Sequence, residues 1–115
     1  MKISKELLSA VLGDDMYPKE IENNLLLFKQ VADAPWSAMR SINIYELMHL
    51  MKEWAYKYGH EMVSYHIQDS NEWRCLYAHI SIDLNIDKRV GFYAETEFEA
   101  VTKACEYILE QLKDK

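Results

Sequence analysis

Alternation of apolar and polar residues between positions 63 and 94 constrains the fold more than any other feature of this sequence. It covers residues 63–67, with Val, Tyr and Ile as the apolar set, the run Trp73 to Leu84, and the shorter run Arg89 to Ala94. A period of two is typical of β-strands that bury one face. Short polar turns at 69–72 and 85–88 separate the runs. The sequence therefore predicts an antiparallel meander of at least three strands.

Three further segments carry the end signals of amphipathic helices. The first helix begins after Ser4 and stops at Gly13, the second begins after Asn43 and stops at Gly59, and the third begins after Thr96. Ser, Asn and Thr side chains accept hydrogen bonds from the first free N–H groups of a helix, and glycine ends a helix without strain. We therefore expect helices at both ends of the chain and one in the middle.

The segment between the first two helices has a weaker pattern. Only Leu25 to Phe28 favours a strand there, with a turn at 22–24 before it. The element order is then helix, one or two uncertain strands, helix, three strands, helix. Segregated helices and strands predict an α+β fold, a two-layer sandwich whose antiparallel sheet carries the helices on one face. A chain of 115 residues is close to the usual size of one domain, so residues 1–115 are expected to form a single domain.

The charge balance narrows the classes of partner. The formal net charge is −6, which disfavours nucleic acid and anionic membranes and is compatible with a basic protein. No apolar stretch approaches the roughly 20 residues that span a bilayer, so we expect a cytoplasmic protein. Cys75 and Cys105 lie far apart in the sequence and form no CxxC pair, and both are predicted to be buried, reduced thiols.

Motifs for cofactors and metals are missing from the sequence. The three glycines, Gly13, Gly59 and Gly91, stand alone, so no loop wraps a phosphate with closely spaced backbone amides. The four histidines show no HxxxH, HExxH or Cys/His spacing of a metal site. The sequence predicts neither a cofactor nor a metal.

Two groups of residues keep a catalytic alternative open. Cys75 and His79 share one predicted strand, and His66 on the neighbouring strand could face His79 across the hairpin, an arrangement that a cysteine nucleophile needs. Carboxylates for acid and base chemistry lie at the start of the last helix, on Glu95, Glu97 and Glu99. Acidic residues in a first turn are explained more simply by the helix dipole.

Aromatic, methionine and arginine residues suggest a protein interface instead, because Trp, Tyr and Arg are common interface anchors. The candidates are Trp36, Met39, Arg40, Tyr45, Trp73 and Tyr77. Trp36, Met39 and Arg40 precede the second helix, and His49 and Tyr56 would extend this surface from Tyr45 along one side of that helix. In the alternative interpretation, Trp36 folds back and closes the core.

Trp73 and Tyr77 form the second part of the candidate surface. They lie on the sheet face opposite the aliphatic row that includes Leu76 and Ile80. If helices cover the aliphatic face, the two rings are exposed and mark a partner or dimer surface. If residues 14–41 cover the second face, they are buried.

The helical segments carry a resemblance. The segments are Lys5–Gly13, Ile42–Leu47 with Lys52–Ala55, and Glu95–Ala100 with Ala104–Glu106. Together they resemble small uncharacterised proteins of phages and prophages, and the closing segment resembles the phage "ABA sandwich" type of small domain. The strands are unmatched, and Phe98 stands where relatives often have Pro. The family has no established activity, so the resemblance implies a phage setting and transfers no functional residue.

The sequence thus predicts a non-catalytic, phage-type acidic protein in the host cytoplasm. It would act by contact with a host or phage protein, with a host defence protein as one such target. A homodimeric accessory protein, paired through its sheet face or the Trp36 loop, is the alternative. A small enzyme built around Cys75 and the strand histidines is the least favoured hypothesis.

Overall fold

The computed structural model describes residues 3–30, 39–68, 74–83 and 86–113. Within these ranges, side chains are described at every position except 65–89. The described residues form three helices and two three-stranded antiparallel sheets. None of these helices is both long enough and apolar enough to span a bilayer. The predicted α+β class is confirmed.

The elements group into two compact units, Met1–Leu50 and Met51–Lys115. The single domain predicted from chain length stays a prediction. The first unit holds α1 (Lys5–Leu12), β1 (Tyr17–Glu22), β2 (Leu25–Lys29), β3 (Arg40–Asn43) and the first half of α2 (Ile44–Lys57). The second unit holds the remainder of α2, then β4 (Met62–Gln68), β5 (Arg74–Asp83), β6 (Ile86–Ala94) and α3 (Glu97–Lys113).

Helix α1 has the ends that its sequence predicts. The Ser4 hydroxyl accepts a hydrogen bond from the Leu7 N–H at 3.0 Å. Gly13 takes a left-handed φ of 85° and donates its N–H to the Ser9 carbonyl at 2.8 Å. The Ser9 hydroxyl also accepts the Met16 N–H at 3.0 Å, which fixes the chain as it turns toward β1. Local side-chain hydrogen bonds therefore set both the start and the exit of this helix.

The first sheet has the order β1-β2-β3. Asn23 and Asn24 join β1 to β2 with φ values of 51° and 65°, the left-handed pair that a two-residue type I′ hairpin requires. Along β2, Leu26 and Phe28 are buried while Leu25 is exposed. The predicted strand at Leu25 to Phe28 and the turn before it are confirmed.

The sequence pattern does not predict β1 or β3. In β1 the register shifts between Pro18 and Ile21, and this irregularity breaks the period-two alternation. Strand β3 is only four residues long, and its burial pattern holds no fully buried position. Both strands lie at the edges of the sheet, where little burial is imposed on the sequence.

The second sheet is the predicted meander. Its order is β4-β5-β6, with both pairs antiparallel, and α3 contacts all three strands. Strand β6 begins three residues earlier than predicted, because Asp83 pairs with Ile86 and leaves only 84 and 85 for the connection. The register also shifts between Ser81 and Asp83. A polar run such as Ile86–Lys88 therefore belongs to a strand although it resembles a turn.

The helices that precede and follow these strands in the chain are capped as predicted. The Asn43 side chain accepts the Tyr45 N–H at 2.8 Å, and the Thr96 hydroxyl accepts the Glu99 N–H at 3.1 Å. Gly59 follows α2 with a left-handed φ of 89°. Helix α3 buries the stripe Phe98, Ala100, Val101, Thr102, Ala104, Cys105 and Ile108. The Thr102 hydroxyl donates to the Phe98 carbonyl at 2.7 Å, which satisfies a buried polar group within the helix.

Candidate functional site

The two faces of the second sheet have different surroundings. The Phe92 ring lies 5.6 Å, centroid to centroid, from the Tyr107 ring of α3, and Met62 is buried. Alternate residues of a strand occupy opposite faces, so Val63 and Tyr93 lie on the face away from α3. Val63 is 39% exposed and Tyr93 is 58% exposed. We call this side of the sheet the open face.

Strand register extends the open face across all three strands. Tyr93 pairs with Tyr77, and Tyr77 pairs with Tyr65. Val63 pairs with His79 on the middle strand. Paired positions of neighbouring strands share a face, so a row of three tyrosine positions crosses the open face. The open face is thus defined by Val63 and Tyr93, together with the positions of their register partners.

The alternating apolar positions of β4 lie on the side of the sheet away from α3, although the alternation of the strand suggests that they are covered. A half-buried strand normally buries its apolar residues, yet Val63 is exposed, while Ser64 lies on the side of the helices. The neighbouring register pair places Ser64 beside Ala78, on the aliphatic row of β5. Alternation in β4 therefore predicts a strand correctly but not which face is covered.

The structure locates only part of the predicted interface. Met39 is half-buried and directly precedes β3, Arg40 is the exposed first residue of β3, and Tyr45 is 60% exposed in the first turn of α2. These three residues belong to the first unit, whereas Tyr77 belongs to the second. Two of the predicted residues lie outside the described part of the chain: Trp36 and Trp73. Binding by any of them stays a prediction.

The register gives no support to the cysteine and histidine site. His66 pairs with Leu76 whereas His79 pairs with Val63, so the two histidines are not register partners and occupy opposite faces. Cys75 and His79 share a face but are four residues apart along β5, about 13 Å at the usual rise of a strand. A nucleophile and its base need hydrogen-bond contact. The backbone does not bring these positions that close.

A polar cluster that sequence reasoning missed lies on the opposite, helix-covered side of the same sheet. Lys52 of α2 donates from Nζ to the Ser64 hydroxyl at 2.8 Å. The Ser64 hydroxyl donates to Oε1 of Glu97 in α3 at 2.6 Å. The Lys52 Nζ and Glu97 Oε1 atoms are 3.8 Å apart, and both side chains are 33% exposed. These residues, the Lys52–Ser64–Glu97 cluster, join two helices to β4.

The cluster has the residue types of a serine nucleophile site, but its contacts suit a different role. A lysine that accepts the proton of a serine has to be neutral, which requires a desolvated site. Lys52 is one-third exposed and lies beside a carboxylate. The Ser64 hydroxyl accepts a hydrogen bond from an ammonium group and donates one to a carboxylate. Charge-assisted hydrogen bonds of this kind are typical of structural networks. The cluster can therefore hold α2 and α3 against β4. It does not provide the desolvated lysine that would activate Ser64 as a nucleophile.

Cys105 is the described thiol, and its surroundings make it unreactive. The side chain is fully buried in α3, and its S–H donates weakly to the Met51 carbonyl at 3.9 Å. Burial, together with the smaller effect of the nearby charge of Glu106, raises the pKa of the Cys105 thiol to about 12. The thiolate is the nucleophile and the metal ligand, so this cysteine is a packing residue. The expected burial of Cys105 is confirmed.

We expect the Cys105 thiol of the Cys75→Ser variant to resist labelling at pH 7. With a pKa of about 12, only about one thiol in 100,000 is ionised at that pH. A chromogenic disulfide reagent should react only as fast as the protein opens, and at once in denaturant. The Cys105→Ser variant, measured in parallel, reports the reactivity of Cys75. Rapid labelling of native Cys75→Ser protein would contradict the burial of Cys105.

Comparison with known proteins supplies no functional residue. No family model matches the chain, and neither a curated protein nor a solved structure is similar to it. Among the residues that the structure describes, no group of His, Cys, Asp and Glu side chains is arranged to hold a metal ion. The open face and the Lys52–Ser64–Glu97 cluster are therefore the two features from which a function can be argued.

Proposed function

We propose that this protein is a non-catalytic binding module that attaches to a partner protein through the open face. The exposure of Tyr93, on the sheet side away from α3, carries the proposal. Large exposed apolar and aromatic groups on a sheet are costly to leave in water, and they commonly mark an interaction surface. The chain also exposes Val63 on the same face, in the opposite edge strand β4.

The backbone around Tyr93 favours binding by the face over addition of a strand. The Tyr93 carbonyl accepts a hydrogen bond from Lys103 Nζ at 2.9 Å, so this carbonyl is already engaged. A lysine at a strand edge is a common means of preventing edge-to-edge pairing. A partner that reaches Tyr93 would therefore contact its ring. Ring contacts of tyrosine bury much area at a low entropy cost, which suits an interface anchor.

The setting implied by the phage resemblance is part of the proposal. The protein would act in the host cytoplasm and contact a host or phage protein, a defence protein being one target. The net charge of −6 supports a soluble protein that avoids nucleic acid. Identification of the captured partner tests this setting, since a secreted or membrane-embedded partner would contradict it.

Affinity capture with two matched tyrosine variants tests the binding face. Tyr93→Ala removes the ring on the open face, and Tyr56→Ala removes an equally exposed ring (62%) from α2 in the same unit. We expect one stoichiometric partner with the wild type and with Tyr56→Ala, and its loss with Tyr93→Ala. Far-UV circular dichroism confirms that each variant is folded. A partner that Tyr93→Ala retains, or that both variants lose equally, would overturn the proposal.

A further inference from the structure

Carboxylates stand at both ends of the open face. Exposed Glu61 directly precedes β4, and exposed Glu95 directly follows β6. Both strands pair antiparallel with β5, so they run in the same direction along the two edges of the sheet. The start of β4 and the end of β6 are therefore at opposite ends. A partner that crosses the open face diagonally, from the start of β4 to the end of β6, meets a carboxylate at each end.

The exposed tyrosine at the β6 edge of the face suits cations as well. The face of a tyrosine ring attracts ammonium and guanidinium groups, by about 0.5–1 kcal/mol at exposed sites. This chain already contains such a contact in its first unit, where Lys5 Nζ lies 4.8 Å from the centroid of the Tyr17 ring. Tyr93 is exposed to the same kind of contact from outside.

From these features we infer that the partner presents a lysine- and arginine-bearing protein segment to the open face. This inference rests on the proposed binding function and adds the chemistry of the partner. Cationic side chains would stack on Tyr93 while others pair with Glu61 and Glu95, and apolar residues would cover Val63. Charge complementarity of this kind selects partners and speeds their encounter.

A second copy of the chain fits this face less well. Two copies each carry a net charge of −6, and pairing through the open face would bring a second set of the same carboxylates to the interface. Like charges brought together at an interface cost free energy. Self-association through the face is therefore a competing outcome that the experiment has to detect, and it would overturn the inference.

Fluorescence anisotropy with two designed peptides tests the inference. One labelled peptide alternates arginine or lysine with valine, and the other has glutamate at every basic position. We expect saturable binding of the basic peptide, at least tenfold tighter than that of the acidic one. Binding should weaken between about 0.05 M and 0.5 M NaCl, because salt screens exposed charges. Light scattering on the free protein should show a monomer.

Variants locate the binding to the open face. Tyr93→Ala should lower the affinity for the basic peptide by about tenfold, as loss of an interface anchor does. Tyr93→Phe keeps the ring and should keep the affinity. The double variant Glu61→Gln with Glu95→Gln should lower the affinity for the basic peptide by a similar factor. The matched pair Glu53→Gln and Glu110→Gln removes the same charge from exposed helix positions and should change the affinity less than twofold.

Three results would overturn the inference: equal binding of both peptides, equal losses from the two glutamine pairs, or no binding of the basic peptide. A dimer in light scattering that Tyr93→Ala abolishes would do so too. Each of these leaves the proposed function standing if the capture experiment still recovers a protein in a Tyr93-dependent manner. Loss of Tyr93 dependence in the capture experiment removes both.

Discussion

Replacing Ile108 with alanine should lower the free energy of unfolding by about 2–5 kcal/mol, the usual cost of truncating a large buried aliphatic side chain. Ile108 is completely buried in α3, on the stripe that also buries Val101 and Ala104. Helix α3 contacts all three strands of the second sheet. The shortened side chain loses its packing contacts and leaves a cavity that neighbours tied to a helix and a sheet cannot fill completely.

Urea denaturation, followed by tryptophan fluorescence and circular dichroism, measures this loss. Gln111→Ala is the matched control, because it truncates an exposed residue one turn along the same helix. The control should stay within about 0.5 kcal/mol of the wild type. If Ile108→Ala and Gln111→Ala unfold at the same urea concentration, the burial of this stripe is wrong.

The same variant tests the single domain that chain length predicts. In one cooperative domain, Ile108→Ala reduces hydrogen-exchange protection in elements of both compact units, including α1 and β2. In two independent units, the loss is confined to residues 51–113. The exchange pattern therefore decides between these organisations without any assumption about how the units are arranged.

Signals carried by a few consecutive residues were sufficient to predict much of the fold. The caps at Ser4, Asn43 and Thr96 form the expected hydrogen bonds, and the expected turn forms at Asn23 and Asn24. Each depends on a side chain and a backbone group within three residues of one another. Such local preferences are encoded in the order of the residues and survive any rearrangement of the tertiary structure.

The covered side of β4 could not be predicted in the same way. Its alternation alone favours burying Val63 over Ser64, whereas the observed choice depends on which face α3 covers. An apolar strand residue normally turns inward, so the exposure of Val63 is a property of the tertiary structure. Exceptions of this kind are expected where a surface has a function, which agrees with the proposed binding face.

The Lys52–Ser64–Glu97 cluster escaped prediction because its members are far apart in the sequence. Ser64 is 12 residues from Lys52 and 33 residues from Glu97. Each has an adequate local explanation, as a surface lysine of α2, a polar strand residue and an acidic first-turn residue. The pairing of Ser64 with the aliphatic row of β5 would have pointed to the cluster, but this pairing is known only from the strand register. A serine among aliphatic residues needs a hydrogen-bond partner.

Replacing Ser64 with valine should lower the free energy of unfolding by about 1–2 kcal/mol, through the loss of two charge-assisted hydrogen bonds. Such bonds contribute more when fully buried, but Lys52 and Glu97 are each one-third exposed, so water partly replaces the hydroxyl. Valine has a higher strand propensity than serine, so a measured loss of stability cannot come from the strand preference. Valine is also larger than serine, and a threonine variant controls for this added volume.

Ser64→Thr distinguishes the loss of the hydroxyl from a change of shape. Threonine keeps the hydroxyl and resembles valine in outline, so it should restore most of the stability that Ser64→Val loses in urea denaturation. The double variant Ser64→Val with Lys52→Met should lose less than the sum of the single losses, because both changes disrupt the same Lys52–Ser64 hydrogen bond. Additive losses, or a Ser64→Val protein as stable as the wild type, would show that the cluster does not hold α2 and α3 to the sheet.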